Sequence, residues 1–428
     1  MSRYEPLDTS GNALELGVAG RGQRDRGGGG ETAAVRWAKQ YGGWVVATLV
    51  LIHSLGFSSS SSRSDSCWDP YNAIGYIHRP SNGSMRWIPY PPSSSSSRRL
   101  LSHPSEIDDA LDPPPEALAL APPPYGDMLN EIRTGQGLRD MEWARGKKVA
   151  FIGDSHDRYN VETFCHQARA VTGAELSVPH YHIKAHCRIP DLDLTFAAWF
   201  HYGLAPESDS LPQPPSGTDE GTTPSPTVGW NIPSLPTSHV NENPPPYAIE
   251  GRMREYWLPD TETGVADGGL GGKPDLVVIN SFFWDLRYFA LHARHYPSRA
   301  SSLRAEERPL TYSELAWHRG RVRDYVELIR KAFPGVPVMF RLGQEHATNR
   351  NEGNVAVFQL NESIRAALRE LNVPVFEWAR LISGESKYND DQHLTPGTPH
   401  RLFTDMALFY LHKAVTGWNR CEKPPETR

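Results

Sequence analysis

The residue types that could do chemistry gather in two short clusters. The first is Gly153-Asp154-Ser155, directly after the apolar run Lys148 to Gly153, KVAFIG. A serine where a strand gives way to a helix can attack a carbonyl carbon while nearby backbone N–H groups hold the developing oxyanion. The positive end of the helix dipole favours negative charge at the same place, and Gly153 permits the tight turn. Asp and Ser are also favoured in ordinary helix caps. What sets this triplet apart is its place after a buried strand, where ligands of open α/β sheets bind. The second cluster is Asp390-Asp391-Gln392-His393, followed by Leu394-Thr395-Pro396-Gly397. Histidine is the usual base for a serine nucleophile. The base in turn needs a carboxylate to set its tautomer, and Asp390, three residues before His393, or the adjacent Asp391 can supply it. Acyl transfer, to water or to an alcohol, is the chemistry these side chains would do together.

Elements able to position them follow from the apolar pattern. Short apolar runs at Lys148–Gly153, Leu194–Phe200, Leu276–Asn280, Val336–Leu342 and Val373–Phe376 read as buried strands. Amphipathic stretches at 161–171, 313–333, 355–371 and 399–415 read as helices, with a further helix-like stretch at 128–143. Strands alternating with helices predict a mostly parallel sheet covered on both faces. Both chemical clusters then fall on one rim of that sheet. Trp199 and Trp284 end predicted strands and could stack on a sugar ring, although strand-end aromatics more commonly fill a core.

The two clusters together resemble the SGNH (GDSL) hydrolase superfamily. The run Gly153 to Cys165, GDSHDRYNVETFC, is similar to the first block of its PC-esterase branch, which includes the trichome-birefringence-like polysaccharide O-acetyltransferases. DDQHLTPG, Asp390 to Gly397, is similar to the last block with one residue fewer before Pro-Gly. Pro274 to Leu286 resembles the middle strand, and the resemblance spans about residues 147–421. It implies a three-layer α/β/α fold, flavodoxin-like in its layering. It also implies Ser155 as nucleophile, His393 as base and Asp390 as orienting acid; no cofactor and no metal are expected. The expected reaction is transfer of an acyl group, most simply acetyl, between an acyl donor and a glycan hydroxyl. Two alternatives stand beside it: a water-using carbohydrate or lipid esterase, and an inactive glycan-binding protein. The third block of the superfamily normally offers a Gly and an Asn to the oxyanion hole. Here Phe282-Phe283-Trp284-Asp285 stands in its place, and Gly203 is the nearest match to the second-block glycine. Gly153, Asp154, Arg158, Asn160 and Trp284 are therefore the expected oxyanion or substrate-binding residues. His156 and Asp157, beside the nucleophile, could contact substrate or be solvated first-turn residues.

The rest of the chain sets the context. It has 428 residues, with 37 Pro and 36 Gly but only 38% apolar residues, below the roughly 45–50% of compact domains. The net charge of -6 argues against nucleic acid as a partner. Residues 1–40 read as a disordered cytoplasmic tail. Residues 41–57, apolar and preceded by Arg36 and Lys39, read as a transmembrane signal anchor. Residues 58–124 read as a Ser/Pro-rich stalk carrying an aromatic docking segment at 67–90, and residues 125–421 as the catalytic domain, with a disordered insertion at 205–246. This pattern predicts a single-pass type II protein of the Golgi or ER membrane with a lumenal domain. All four cysteines follow the apolar segment, and Cys165–Cys187 with Cys67–Cys421 is the expected pairing. Asn82 and Asn361 lie in glycosylation acceptor triplets. His180, His182, His186 and Cys187 lack the tight pairs of a zinc site and read as a loop with a disulfide.

Overall fold

The structure is a computed structural model. It describes residues 68–79, 86–90, 113, 115–132, 135–180, 183–206, 246, 248–257, 270, 272–295, 309–345, 354–384, 387–389 and 392–418. In chain order the named elements are β1 (Gly75–His78), β2 (Arg86–Pro89), α1 (Pro115–Leu120), α2 (Tyr125–Asn130), α3 (Gln136–Asp140), β3 (Lys148–Gly153), α4 (Ser155–Thr172), β4 (Glu175–His180), β5 (Lys184–Ile189) and β6 (Leu194–Phe200). They continue with α5 (Ile249–Arg252), β7 (Leu276–Ile279), α6 (Phe283–His295), α7 (Tyr312–Ala332), β8 (Val338–Arg341), α8 (Asn354–Leu371), β9 (Val375–Phe376), α9 (Trp378–Leu381) and α10 (Thr398–Gly417).

Seven strands form one sheet in the order β4-β5-β6-β3-β7-β8-β9. Strand β3 pairs in parallel with β6 and β7, and β8 in parallel with β7 and β9. The expectation of a mostly parallel sheet is corrected at one edge, where β4, β5 and β6 run antiparallel and make the sheet mixed. The cause is connection length. Only residues 181–183 join β4 to β5, and only 190–193 join β5 to β6. A parallel return needs a crossover of a dozen residues or more. Within β5 the side chains of Ala185, Cys187 and Ile189 are buried and alternate with more exposed Lys184, His186 and Arg188. That alternation is a half-buried strand, in a stretch that reads as a loop from its polar composition.

Side-chain alternation along β3 feeds two cores. Val149 and Phe151 join Val161, Phe164 and Ala168 of α4 and Leu402, Phe403 and Met406 of α10. Ala150 and Ile152 join Leu286 of α6, Val322 and Ile329 of α7, and Leu360 and Ile364 of α8. Trp199 belongs to this second core, 1% exposed and stacked on Trp257, so it offers no ring to a sugar. Cys165 of α4 and Cys187 of β5 form a disulfide; Cys67 and Cys421 lie outside the described residues.

Residues of the aromatic segment make specific contacts. Trp87 Nε1 donates to Pro70 O at 2.7 Å, and Tyr71 packs edge-on against Phe409 of α10. The Tyr410 hydroxyl donates to Asp69 at 3.0 Å, and Arg380 Nη2 donates to Tyr71 O. Helix α1, within the expected stalk, buries Ala117 and Leu120 and packs beside β2. The helix-like stretch at 128–143 is broken into short helices at Gly135, whose φ is +79°.

The membrane reading is corrected. Among the described residues no helix is long and apolar enough to cross a membrane. Residues 41–57, where the anchor was expected, lie outside them. The transmembrane helix, the membrane as a partner, the type II topology and the Golgi or ER placement are not carried further.

Candidate active site

Chain order reverses across the sheet at β3: the strands that follow it first go to one side, and β7, β8 and β9 to the other. The carboxyl end of β3 is thus a topological switch point, where open α/β sheets form their ligand crevices. Ser155 begins α4 there. Asp154 is the N-cap, with extended backbone, and forms a capping box with Asp157. Its carboxylate accepts from His156 N at 2.9 Å, and Asp154 N donates to Asp157 Oδ2 at 3.2 Å. Gly153 is required at this turn, because a Cβ would sit 1.9 Å from Asp157 Oδ2 and 3.0 Å from Asn280 Cβ.

His393 arrives from the loop before α10. Its Nε2 lies 2.8 Å from Ser155 Oγ. The loop is held by a short ladder: residues 388 and 394 form an antiparallel bridge, Asn389 N donates to His393 O at 2.8 Å, and Thr395 N donates to Lys387 O at 2.9 Å. Asp390 and Asp391 lie outside the described residues.

Under Ser155 sits a buried charge cluster that was not anticipated. Arg341, the last residue of β8 and 0% exposed, donates from Nε to Asp157 Oδ1 at 2.6 Å and from Nη2 to Asp157 Oδ2 at 2.8 Å. Nη2 also reaches Asp154 Oδ1 at 3.2 Å, and Nη1 donates to Leu342 O at 3.1 Å. Burial alone would raise the Asp154 carboxyl; the adjacent His156 ring and the Arg341 guanidinium overcome it and hold the group below the usual carboxylate range. Burial raises Asp157 despite the opposing Arg341. His156 and Asp157 are therefore buried, 3% and 1% exposed, rather than solvated first-turn residues. The available signal for Arg341 was one charged residue ending the apolar run VMFR, since a buried Arg must find carboxylates.

A second buried cluster shapes the neighbouring loop. Asp285 of α6 accepts from Leu204 N at 2.7 Å and lies 3.2 Å from His318 Nε2, and Ser281 Oγ donates to the same carboxylate. Burial would raise the Asp285 carboxyl, and these partners bring it below its ordinary value. Gly203 has φ +89°, and its N–H meets His201 Nδ1 at 3.2 Å.

The other expected residues are placed as follows. Arg158 is buried, with Nε 3.3 Å from Glu162 and its guanidinium 5.9 Å from the Phe200 ring centre. Asn160 is 2% exposed, and its Oδ1 has no hydrogen-bond partner among the described residues. Trp284 packs against Tyr202, with Arg287 over its ring at 5.4 Å. Asn361, an expected glycan acceptor, donates from Nδ2 to Gly343 O at 2.8 Å and accepts at Oδ1 from Gly343 N at 3.1 Å. Asn82 lies outside the described residues. Cys187 is in the disulfide, and among the described residues no group of three His, Cys, Asp or Glu is placed to hold a metal.

No family model and no curated protein matches the sequence. Among solved structures the chain is similar to an acetyl xylan esterase at 13% identity and TM-score 0.32, covering 61% of this chain and 98% of that one. It is also similar to a carbohydrate esterase family 2 enzyme with its carbohydrate-binding domain, from Corynascus thermopiles (Myceliophthora fergusii). There the identity is 15% and the TM-score 0.31, covering 64% and 67%. Likeness this low is to an esterase-like fold at most and bears on neither the reaction nor the substrate.

Proposed function

We propose that this chain is a serine ester hydrolase in which Ser155 is the nucleophile and His393 the general base. The observation that carries the reading is the 2.8 Å contact between His393 Nε2 and Ser155 Oγ at the start of a helix. As Oγ attacks the ester carbonyl carbon, its proton passes to Nε2. The tetrahedral oxyanion sits against the Ser155 N–H at the positive end of the α4 dipole. Collapse breaks the bond to the alcohol, which takes the proton from Nε2 and leaves acyl-Ser155. Water then attacks, giving its proton to Nε2, and the second collapse returns that proton to Oγ. Asp390, three residues before His393, is the carboxylate we propose to orient it.

The substrate class we assign is an acyl, most simply acetyl, ester of a carbohydrate or lipid. Transfer to a glycan hydroxyl needs the same acyl-Ser155 and differs only in the group that attacks it. The test is p-nitrophenyl acetate turnover by the full chain, with and without an added sugar alcohol. Release of free acetate, abolished in Ser155→Ala, is expected; acetylated sugar as the main product would move the reading to a transferase. Full turnover by Ser155→Ala would sink both.

A further inference from the structure

The ring of His156 contacts the helix cap beside Ser155, the loop that carries His393, and the His393 ring itself. Its residue follows Ser155 on α4. Nδ1 lies 3.1 Å from Asp154 Oδ1, and Nε2 lies 3.2 Å from the carbonyl oxygen of Gln392, the residue before His393. Both partners are acceptors, and a neutral ring carries a single N–H, so the tautomer protonated on Nε2 is the one that donates to the Gln392 carbonyl. The Gln392 carbonyl has a second donor, Gln344 Nε2 at 3.4 Å, from the loop after β8. The same ring is the middle of a three-ring stack: Phe283 lies on one side at 4.6 Å and 29°, and His393 on the other at 4.7 Å and 25°. A ring that served only the helix cap would need the Asp154 bond and nothing else. This one also bridges to a loop 236 residues away and lies against the base itself.

We propose that His156 is a positioning residue for His393. Its Nε2 fixes the backbone carbonyl before the base, and its ring face fixes the plane of the base. The Asp154–Arg341–Asp157 cluster in turn fixes His156. Gln344 is the second anchor of the same carbonyl. This inference rests on the reading of Ser155 and His393 given above. Its logic is that general-base catalysis requires Nε2 of His393 within hydrogen-bond reach of Oγ. A displacement of about 1 Å in such a group can cost on the order of 100-fold in rate.

The experiment uses the full chain, a fluorophosphonate that labels the active serine, and intact mass to follow labelling of Ser155. His156→Asn keeps a polar group near the Nδ1 position and removes the Nε2 donor and the ring. His156→Gln restores a donor near the Nε2 position. The expected result is a labelling rate and kcat about 10–100-fold lower in His156→Asn, with KM within about two-fold. Partial recovery is expected in His156→Gln, which a role confined to folding would not produce. Should His156→Asn not fold, Gln344→Leu carries the test, with several-fold slower labelling expected at an unchanged melting temperature. A wild-type labelling rate in the folded variant tested, or His156→Gln no faster than His156→Asn, overturns the inference and leaves the reading of Ser155 intact. Absence of Ser155 labelling in the wild-type chain overturns both.

Discussion

Arg341 and Asp157 form a two-point ion pair with almost no solvent access, Nε to Oδ1 at 2.6 Å and Nη2 to Oδ2 at 2.8 Å. The pair joins the end of β8 to the first turn of α4, the turn that begins with Ser155. The guanidinium reaches Asp154 as well, so one buried cation serves two buried carboxylates. Breaking such a cluster on one side costs more than the cluster contributes, because the remaining charges stay desolvated.

Arg341→Met is therefore expected to destabilise the fold by about 3–5 kcal/mol at neutral pH, read by urea denaturation. Without the cation, both carboxyls take up protons more readily in the folded state than in the unfolded one. The deficit should be largest near pH 7 and shrink as the pH falls toward the carboxylate range. An equal deficit at both pH values would show that the charges are not the cause.

Ser155→Ala and His393→Ala should each lower ester turnover about 1000-fold or more while leaving the melting temperature near wild type. Because the two side chains act on one proton, the double variant should be no slower than either single one. Losses that multiply would separate the roles.

The Cys165–Cys187 disulfide closes a sequence separation of 22 residues and ties α4 to the hairpin edge of the sheet. In the chain-entropy view a closure of that size contributes about 3 kcal/mol. The double Cys165→Ala, Cys187→Ala variant should melt measurably lower, and a reductant should lower wild type toward it while leaving the variant unmoved. A variant that melts with oxidised wild type would contradict this.

Asp405 of α10 accepts from Gly126 N at 2.6 Å, and burial pushes its carboxyl up to about 7. The folded state thus holds a proton that the unfolded chain, with a carboxyl near 3.8, releases. Stability contributed by this proton is full at pH below about 4 and is lost as the pH rises toward 7. Asp405→Asn keeps an acceptor for Gly126 and removes the titration. Thermal melts between pH 4 and pH 8 should show a smaller decline for the variant and a higher melting temperature than wild type at pH 8. Parallel curves would exclude Asp405 as the cause.

Much of the scaffold is legible along the chain because its signals are local. KVAFIG and LVVI are apolar runs that only buried strands tolerate, and Thr311 with Glu314 is a capping box that starts α7. The β4–β5 hairpin was not legible, because Lys184, His186 and Arg188 mask a two-residue period that depends on pairing with β6. Asp154 and Ser155 read correctly as a helix start; that Asp157 and His156 are buried does not follow from their types, which usually face water.

The sequence by itself determined a serine at the junction of an apolar strand and a helix, and a histidine in a turn near the other end of the domain. Only the tertiary structure decided that the two face each other at 2.8 Å, that Arg341 pairs with the carboxylates beneath them, and that His156 bridges the helix cap to the loop of His393. The reason is that these contacts join residues 184 to 238 positions apart. Local propensity and period say which way the chain runs at each point. The order and register of the strands decide which of their ends meet.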